Sequence, residues 1–296
     1  MRAFATFLGL ILVGLAAIAA FTYPAWLLLH PYFNFPFHRI GERIGMLALL
    51  AGFLGQARRL HLSDRTSLGY GLSWRLFLRE LSIGLTIGAL TMAVVVGIMS
   101  ALGLLDWTAA TGVTPTVLAK LMVMRLLSGI AVAFIEETFL RGAMLTGIAR
   151  ESGTRTAVLL TALVYAATHF FASARIPPDQ VTLRSGVDLL YGTLHLFAHP
   201  IGIADAFLCL LAVGLVLGNV RIATGNIAAC IGLHAGWVWI MLVVHDLSRA
   251  LATAPLSFLL SRFDGFIGWL VLGWTILLGV ALRRFYTARG ASTSSR

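Results

Sequence analysis

Long apolar runs alternate with short polar stretches along this chain, and the runs have the length of a bilayer. A helix rises about 1.5 Å per residue, so about 20 mostly apolar residues cross a hydrocarbon core of about 30 Å. The pattern predicts eight spans: Phe4–Leu29, Ile40–Gln56, Leu81–Leu105, Thr116–Ile148, Thr156–Phe171, Ala204–Val220, Asn226–Val244 and Phe266–Leu282. The third contains no charge, whereas Glu42 and Arg43 weaken the start of the second. The fourth would be about 50 Å long, more than a bilayer core, so it must tilt or project. The expected fold class is therefore all-α, a polytopic transmembrane helix bundle. Residues 1–296 form a single integral membrane domain in this reading, with a motif-bearing core at 116–245 and a disordered tail at 290–296. The connection 172–203 holds Pro177-Pro178 and turns apolar in its second half, which suggests a short interfacial or re-entrant segment.

Composition agrees. The chain is 59% hydrophobic and 11% charged, with mean hydropathy +0.90, whereas a soluble domain averages about 25% charged residues. The net charge of +10 and pI near 10.7 do not point to nucleic acid, because the arginines flank apolar runs. With the loop that holds Arg58, Arg59, Arg65, Arg75 and Arg79 placed in the cytoplasm, Arg150, Arg155, Arg221, Arg283, Arg284 and Arg289 also fall inside. That follows the positive-inside rule and puts both termini in the cytoplasm. The Arg249–Arg262 loop is a modest exception. The N-terminal run resembles a signal peptide but continues to Leu29, so a retained first span is expected. An arginine-rich, nearly lysine-free chain suggests a bacterial inner membrane. Cys209 and Cys230 lie in apolar segments and match neither a paired metal spacing nor a secreted disulfide framework.

Candidate chemistry sits where lipid should be. Glu136 and Glu137 are adjacent inside the fourth span, and a carboxylate there costs roughly 2.5–3.5 kcal/mol on insertion scales. Glu137 and Arg141 are i,i+4 on one helical face and can pair. Glu136 is rotated about 100° away and can face another neighbour, which suits general acid–base work. His169 ends the fifth span, four residues after Tyr165, and His234 lies mid-span among Gly232, Ala235 and Gly236, small residues that admit a close helix. His195 and His199 share a spacing that fits one helical face. Asn219, Arg221 and Asn226 bracket a turn at Thr224-Gly225 and read as turn chemistry. No HExxH, GxSxG, Walker or dinucleotide fingerprint occurs.

Three elements in order resemble the CPBP family of intramembrane proteases, named for CAAX-processing and bacteriocin-processing proteins. Its Glu-Glu-x-x-x-Arg motif is matched by Glu136-Glu137-Thr-Phe-Leu-Arg141. Its aromatic-x-x-x-His motif is matched by Tyr165-Ala-Ala-Thr-His169, and its Arg…Thr-Gly turn leading to His-Ala by Arg221 through Gly225 to His234-Ala235. The match covers about a third of the chain. One position departs: Val238 stands where the family commonly has Asn or Asp, a group thought to hold the scissile carbonyl or its oxyanion. Asn226 lies eight residues upstream of His234 and is not counted as a replacement.

The resemblance implies an intramembrane endopeptidase acting on a membrane-associated protein or peptide. Glu136 and His169 would activate water, His234 would serve as oxyanion donor or metal-site partner, and Glu137, Arg141 and Tyr165 would support them. The family is often described as metalloproteases. Glu136, His169 and His234 are the candidate ligands, since two histidines and a glutamate can hold zinc with an open position. Three separate helices with no local ligand pair favour a metal-free mechanism. The alternative is a catalytically inactive protease-like scaffold, or an immunity or maturation-partner protein, for which Val238 is the main support.

Overall fold

The computed structural model describes residues 1–171 and 174–294, with side chains through residue 286. The side chains of the 290–296 tail lie outside the described residues. The helices are α1 Arg2–Leu29, α2 Phe37–Gln56, α3 Trp74–Ala101, α4 Pro115–Glu137, α5 Leu145–Ser152, α6 Thr154–Thr168, α7 Ser185–Ala198, α8 Ala204–Thr224, α9 Ala228–Leu247 and α10 Trp269–Ser294. A π-helical segment, Thr138–Met144, joins α4 to α5. A two-residue antiparallel ladder pairs Leu105 with Ala250 and Asp106 with Arg249.

Six helical stretches are long and apolar enough to cross a membrane: Arg2–Leu29, Trp74–Ala101, Pro115–Ser152, Ala204–Thr224, Ala228–Leu247 and Trp269–Tyr286. The chain is an all-helical integral membrane protein. The other two expected spans are helices too, but α2 carries Arg39, Glu42 and Arg43 near its start, and α6 has only 15 residues. Helix ends also differ from the apolar runs. The α3 helix starts at Trp74 rather than Leu81, because charged Arg75 and Arg79 extend the helix even though they end the apolar pattern. The α9 helix starts at Ala228, because residues 224–227 are spent on a turn in which Asn226 Oδ1 accepts from the Ala228 N–H at 3.0 Å.

The chain divides into two compact units, Met1–Ser63 with Ala166–Ala204, and Asp64–Tyr165 with Asp205–Arg296. In the first, α1 and α2 pack through glycines: a Cβ on Gly45 would lie 2.8 Å from Ile18 Cδ1. The connection expected to be interfacial or re-entrant contains α7, which lies against α1 so closely that a Cβ on Gly186 would come within 2.3 Å of Ala19 O. Ile18, Phe37 and Leu189 form the buried centre of this unit.

In the second unit α9 is the axis. Residues Ala228–Trp237 are all buried, held between α3 and α4 by small residues. Cβ atoms on Gly232 and Gly236 would sit 2.2 Å from Leu81 O and 2.5 Å from Leu85 O, and one on Gly88 would sit 2.4 Å from Leu233 O. On the α4 side, a Cβ on Gly129 would meet Ala235 O at 2.9 Å. Backbone contact of this kind is how helices associate where lipid removes the hydrophobic drive between them. Two side-chain ties add direction: Trp237 Nε1 donates to Thr91 Oγ1 at 3.1 Å, and Trp239 Nε1 donates to Met122 O at 2.9 Å. Near the far end of α9, Arg125 grips Asp246 with two bonds of 2.5 and 2.7 Å.

Gly232→Val should therefore force α3 and α9 apart and cost at least about 1–3 kcal/mol. Gly97, with nothing within 4 Å of an added Cβ, should accept Ala with no loss. Thermal unfolding in detergent checks both, and equal midpoints for the two variants would contradict the close packing.

Candidate active site

The glutamate pair sits where α4 changes its winding. α4 ends at Glu137, and the next seven residues form the π segment. Such segments are rare and concentrate at functional sites. Local hydrogen bonding marks the change: Thr138 Oγ1 donates back to Phe134 O at 2.5 Å. The wider turn carries Arg141 inward, and both Arg141 and Glu137 are fully buried at 0% exposure.

Glu137 Oε1 is the hub. Arg141 Nη1 donates to it at 3.0 Å and His234 Nδ1 at 2.9 Å. An ionised carboxylate only accepts, so Nδ1 carries the proton and Nε2 is left for other work. Arg141 is held further by Nη2 donating to Gly214 O at 3.4 Å, while Arg141 O accepts from Arg221 Nε at 3.2 Å. Gly214 allows this approach because α8 lies directly on α6, where a Cβ on Gly214 would be 2.8 Å from Ala162 Cα. Tyr165 closes the group. The Arg141 guanidinium carbon stands 4.6 Å from the centre of its ring, a cation–π contact, and the ring meets the His234 imidazole edge-on at 5.9 Å.

Glu136 is placed differently. It is half-buried, and its Oε2 is a buried atom with no hydrogen-bond partner among the described residues. It adjoins Glu137 at the end of α4 without sharing the clamp. His169 lies just past α6, in a turn where Phe170 N donates to Ala167 O and Phe171 N to Thr168 O. It falls in the first compact unit, whereas Glu136, Glu137, Arg141, Tyr165 and His234 all fall in the second.

Other expectations resolve simply. Asn226 is engaged in its turn, with Nδ2 donating to Thr224 O at 2.9 Å, and so does not replace the missing Asn or Asp. Val238 is half-buried. His195 lies in the last turn of α7 and His199 is the residue just past its end, with ring centres 4.4 Å apart. Among the described residues, no three His, Cys, Asp or Glu side chains come together as a metal ligand set. No chemical step is routed through a metal. Sequence reasoning missed the bond between Glu137 and His234, which joins residues 97 positions apart. It also missed the π segment and Tyr70, whose hydroxyl meets Thr138 Oγ1 at 2.5 Å.

Removing one partner of a buried ion pair costs about 3–5 kcal/mol. Glu137→Gln should lower stability by that order, because Arg141 is left buried without its carboxylate. Glu136→Gln should change stability by less than about 1 kcal/mol, having no bond at Oε2 to lose. Unfolding midpoints of the two purified variants test the contrast, and equal destabilisation would refute it.

No curated protein matches the chain. Residues 118–240, roughly two-fifths of its length, match the family model described as type II CAAX prenyl endopeptidase Rce1-like. All the clamp residues, with Glu136 and His169, fall within that stretch. Over that stretch the chain is similar to the Rce1-like type II CAAX prenyl endopeptidases.

Proposed function

We propose that this chain is an intramembrane endopeptidase that cleaves a membrane-associated protein or peptide, with Glu136 as general base. The carrying observation is the split between two adjacent carboxylates. Both carboxylates keep a buried Oε2 with no partner among the described residues, but Glu137 is tied through Oε1 to Arg141 and His234, whereas Glu136 is not part of that clamp.

The step balances without a further reactant. Glu136 takes a proton from water, and the water oxygen bonds to the peptide carbonyl carbon. The tetrahedral intermediate collapses, the C–N bond breaks, and the proton passes to the leaving amine. General-base help of this kind is worth about 10²–10⁴-fold. The His234 ring serves as a donor to the developing oxyanion, and loss of one such donor costs about 10²–10³-fold. Glu137 holds that ring by Nδ1. His169 enters on its motif alone, as a second group on the water. Substrate reaches the site from the membrane of a bacterial cell, in a bundle of eight spans with both termini inside.

A second reading is supported by Val238, which offers no hydrogen bond where the family usually has one: a protease-like scaffold without turnover. The two separate in one assay. Purified wild type should cleave an internally quenched, farnesylated CAAX peptide in detergent, and Glu136→Gln should lose about 10²-fold or more in kcat. Wild-type turnover by Glu136→Gln would contradict the role of Glu136, and absence of cleavage by both would favour the scaffold.

A further inference from the structure

A short loop before α3, residues 64–70, lies outside the matched segment yet touches the pieces that frame the glutamates. It is built on Asp64, whose Oδ1 accepts from Ser67 N at 2.8 Å and whose Oδ2 accepts from Ser67 Oγ at 2.5 Å. Ser67 Oγ in turn accepts from Arg150 Nη2 of α5 at 2.5 Å. Gly69 adopts φ +84°, a conformation glycine takes without steric cost. Its carbonyl accepts from Ile227 N, at the entrance to α9, at 3.1 Å. Gly142, in the π segment, is packed under the loop so tightly that a Cβ would lie 2.8 Å from Leu68 O.

Tyr70 makes the contact nearest the chemistry. Its ring stacks on Phe77 with centres 5.6 Å apart and tilts over Phe134 at 6.2 Å. It packs against the buried cluster of Ala133, Ile227, Ile231 and Ala235, which joins α4 to α9. The direction of its hydrogen bond follows from Thr138. That residue has one hydroxyl proton, and the Phe134 carbonyl, which can only accept, takes it at 2.5 Å. Tyr70 must therefore donate to Thr138 Oγ1. Burial pushes the phenol above its usual pKa, against a smaller opposing effect of the Thr138 bond, which keeps the donor protonated at neutral pH.

We propose that Tyr70 is a positioning residue for the hydrolysis: through Thr138 it holds the first turn of the π segment in register, and so fixes the aim of Glu136 two residues earlier. This rests on the reading of Glu136 as the reacting carboxylate. The role is one of aim, because Tyr70 touches neither glutamate in any hydrogen bond among the described residues. The loop is thus a strap across the glutamate helix, the start of α9 and α5.

Tyr70→Phe tests it, since the ring keeps its stacking and only the donor is lost. Hydrogen–deuterium exchange of amides 138–144 should speed up by about tenfold, with the unfolding midpoint little changed. On the farnesylated peptide, kcat should fall about tenfold at constant KM. Thr138→Ser should keep wild-type exchange and turnover, Thr138→Val should repeat the loss, and the Tyr70→Phe/Thr138→Val double variant should be no worse than either. Unchanged exchange in Tyr70→Phe would overturn the strap. So would wild-type turnover by Tyr70→Phe beside an inactive Glu136→Gln, whereas wild-type turnover by Glu136→Gln would remove the site reading and the strap with it.

Discussion

One carboxylate oxygen, Glu137 Oε1, receives hydrogen bonds from Arg141 and His234 in a place closed to solvent. Much of the local structure follows from satisfying those charges away from water. An ionised group buried alone would be costly by many kcal/mol. Pairing reduces that cost only if the partners are also held, and Gly214 O, Tyr165 and the turn into the π segment hold Arg141. The same oxygen joins α4 to α9, so the helices cannot shift without breaking a buried ion pair. The close backbone packing of α9 on α3 and α4 is what brings His234 within reach.

That arrangement gives two neighbouring glutamates different surroundings. On a regular helix they differ by about 100° in direction. Here the second is tied through Oε1 to Arg141 and His234, and the first stands outside that clamp, although each keeps a buried Oε2 without a partner among the described residues. The clamp also engages His234 through Nδ1, which leaves Nε2 outside it. That contrast is what supports the proposal of Glu136 as the general base.

Much of the fold was legible because membrane helices announce themselves by length and hydropathy. Six of the expected spans are long apolar helices, and α2 and α6 are helices of less certain reach, one charged and one short. Boundaries were less legible: Arg75 and Arg79 hid the first turns of α3, and the turn at Asn226 delayed α9. For the site, the spacing of Glu137 and Arg141 suggested their pairing, but a single sequence carries no sign that His234 would bond to Glu137. That contact depends on how three helices pack. The π segment was also invisible, because one wider turn hardly disturbs an apolar pattern. Tyr70 lay in a basic loop whose arginines speak for topology and say nothing of what its aromatic residue touches.

The division of labour between Glu136 and Glu137 matters only if the protein turns over a substrate in its membrane. The most direct measurement is the membrane proteome of cells that carry the wild-type chain against cells that carry Glu136→Ala, with peptide termini mapped. An uncleaved precursor of at least one membrane-associated protein should accumulate in the Glu136→Ala cells and disappear when the wild-type chain is restored. Identical termini throughout the two proteomes would contradict proteolysis by this site.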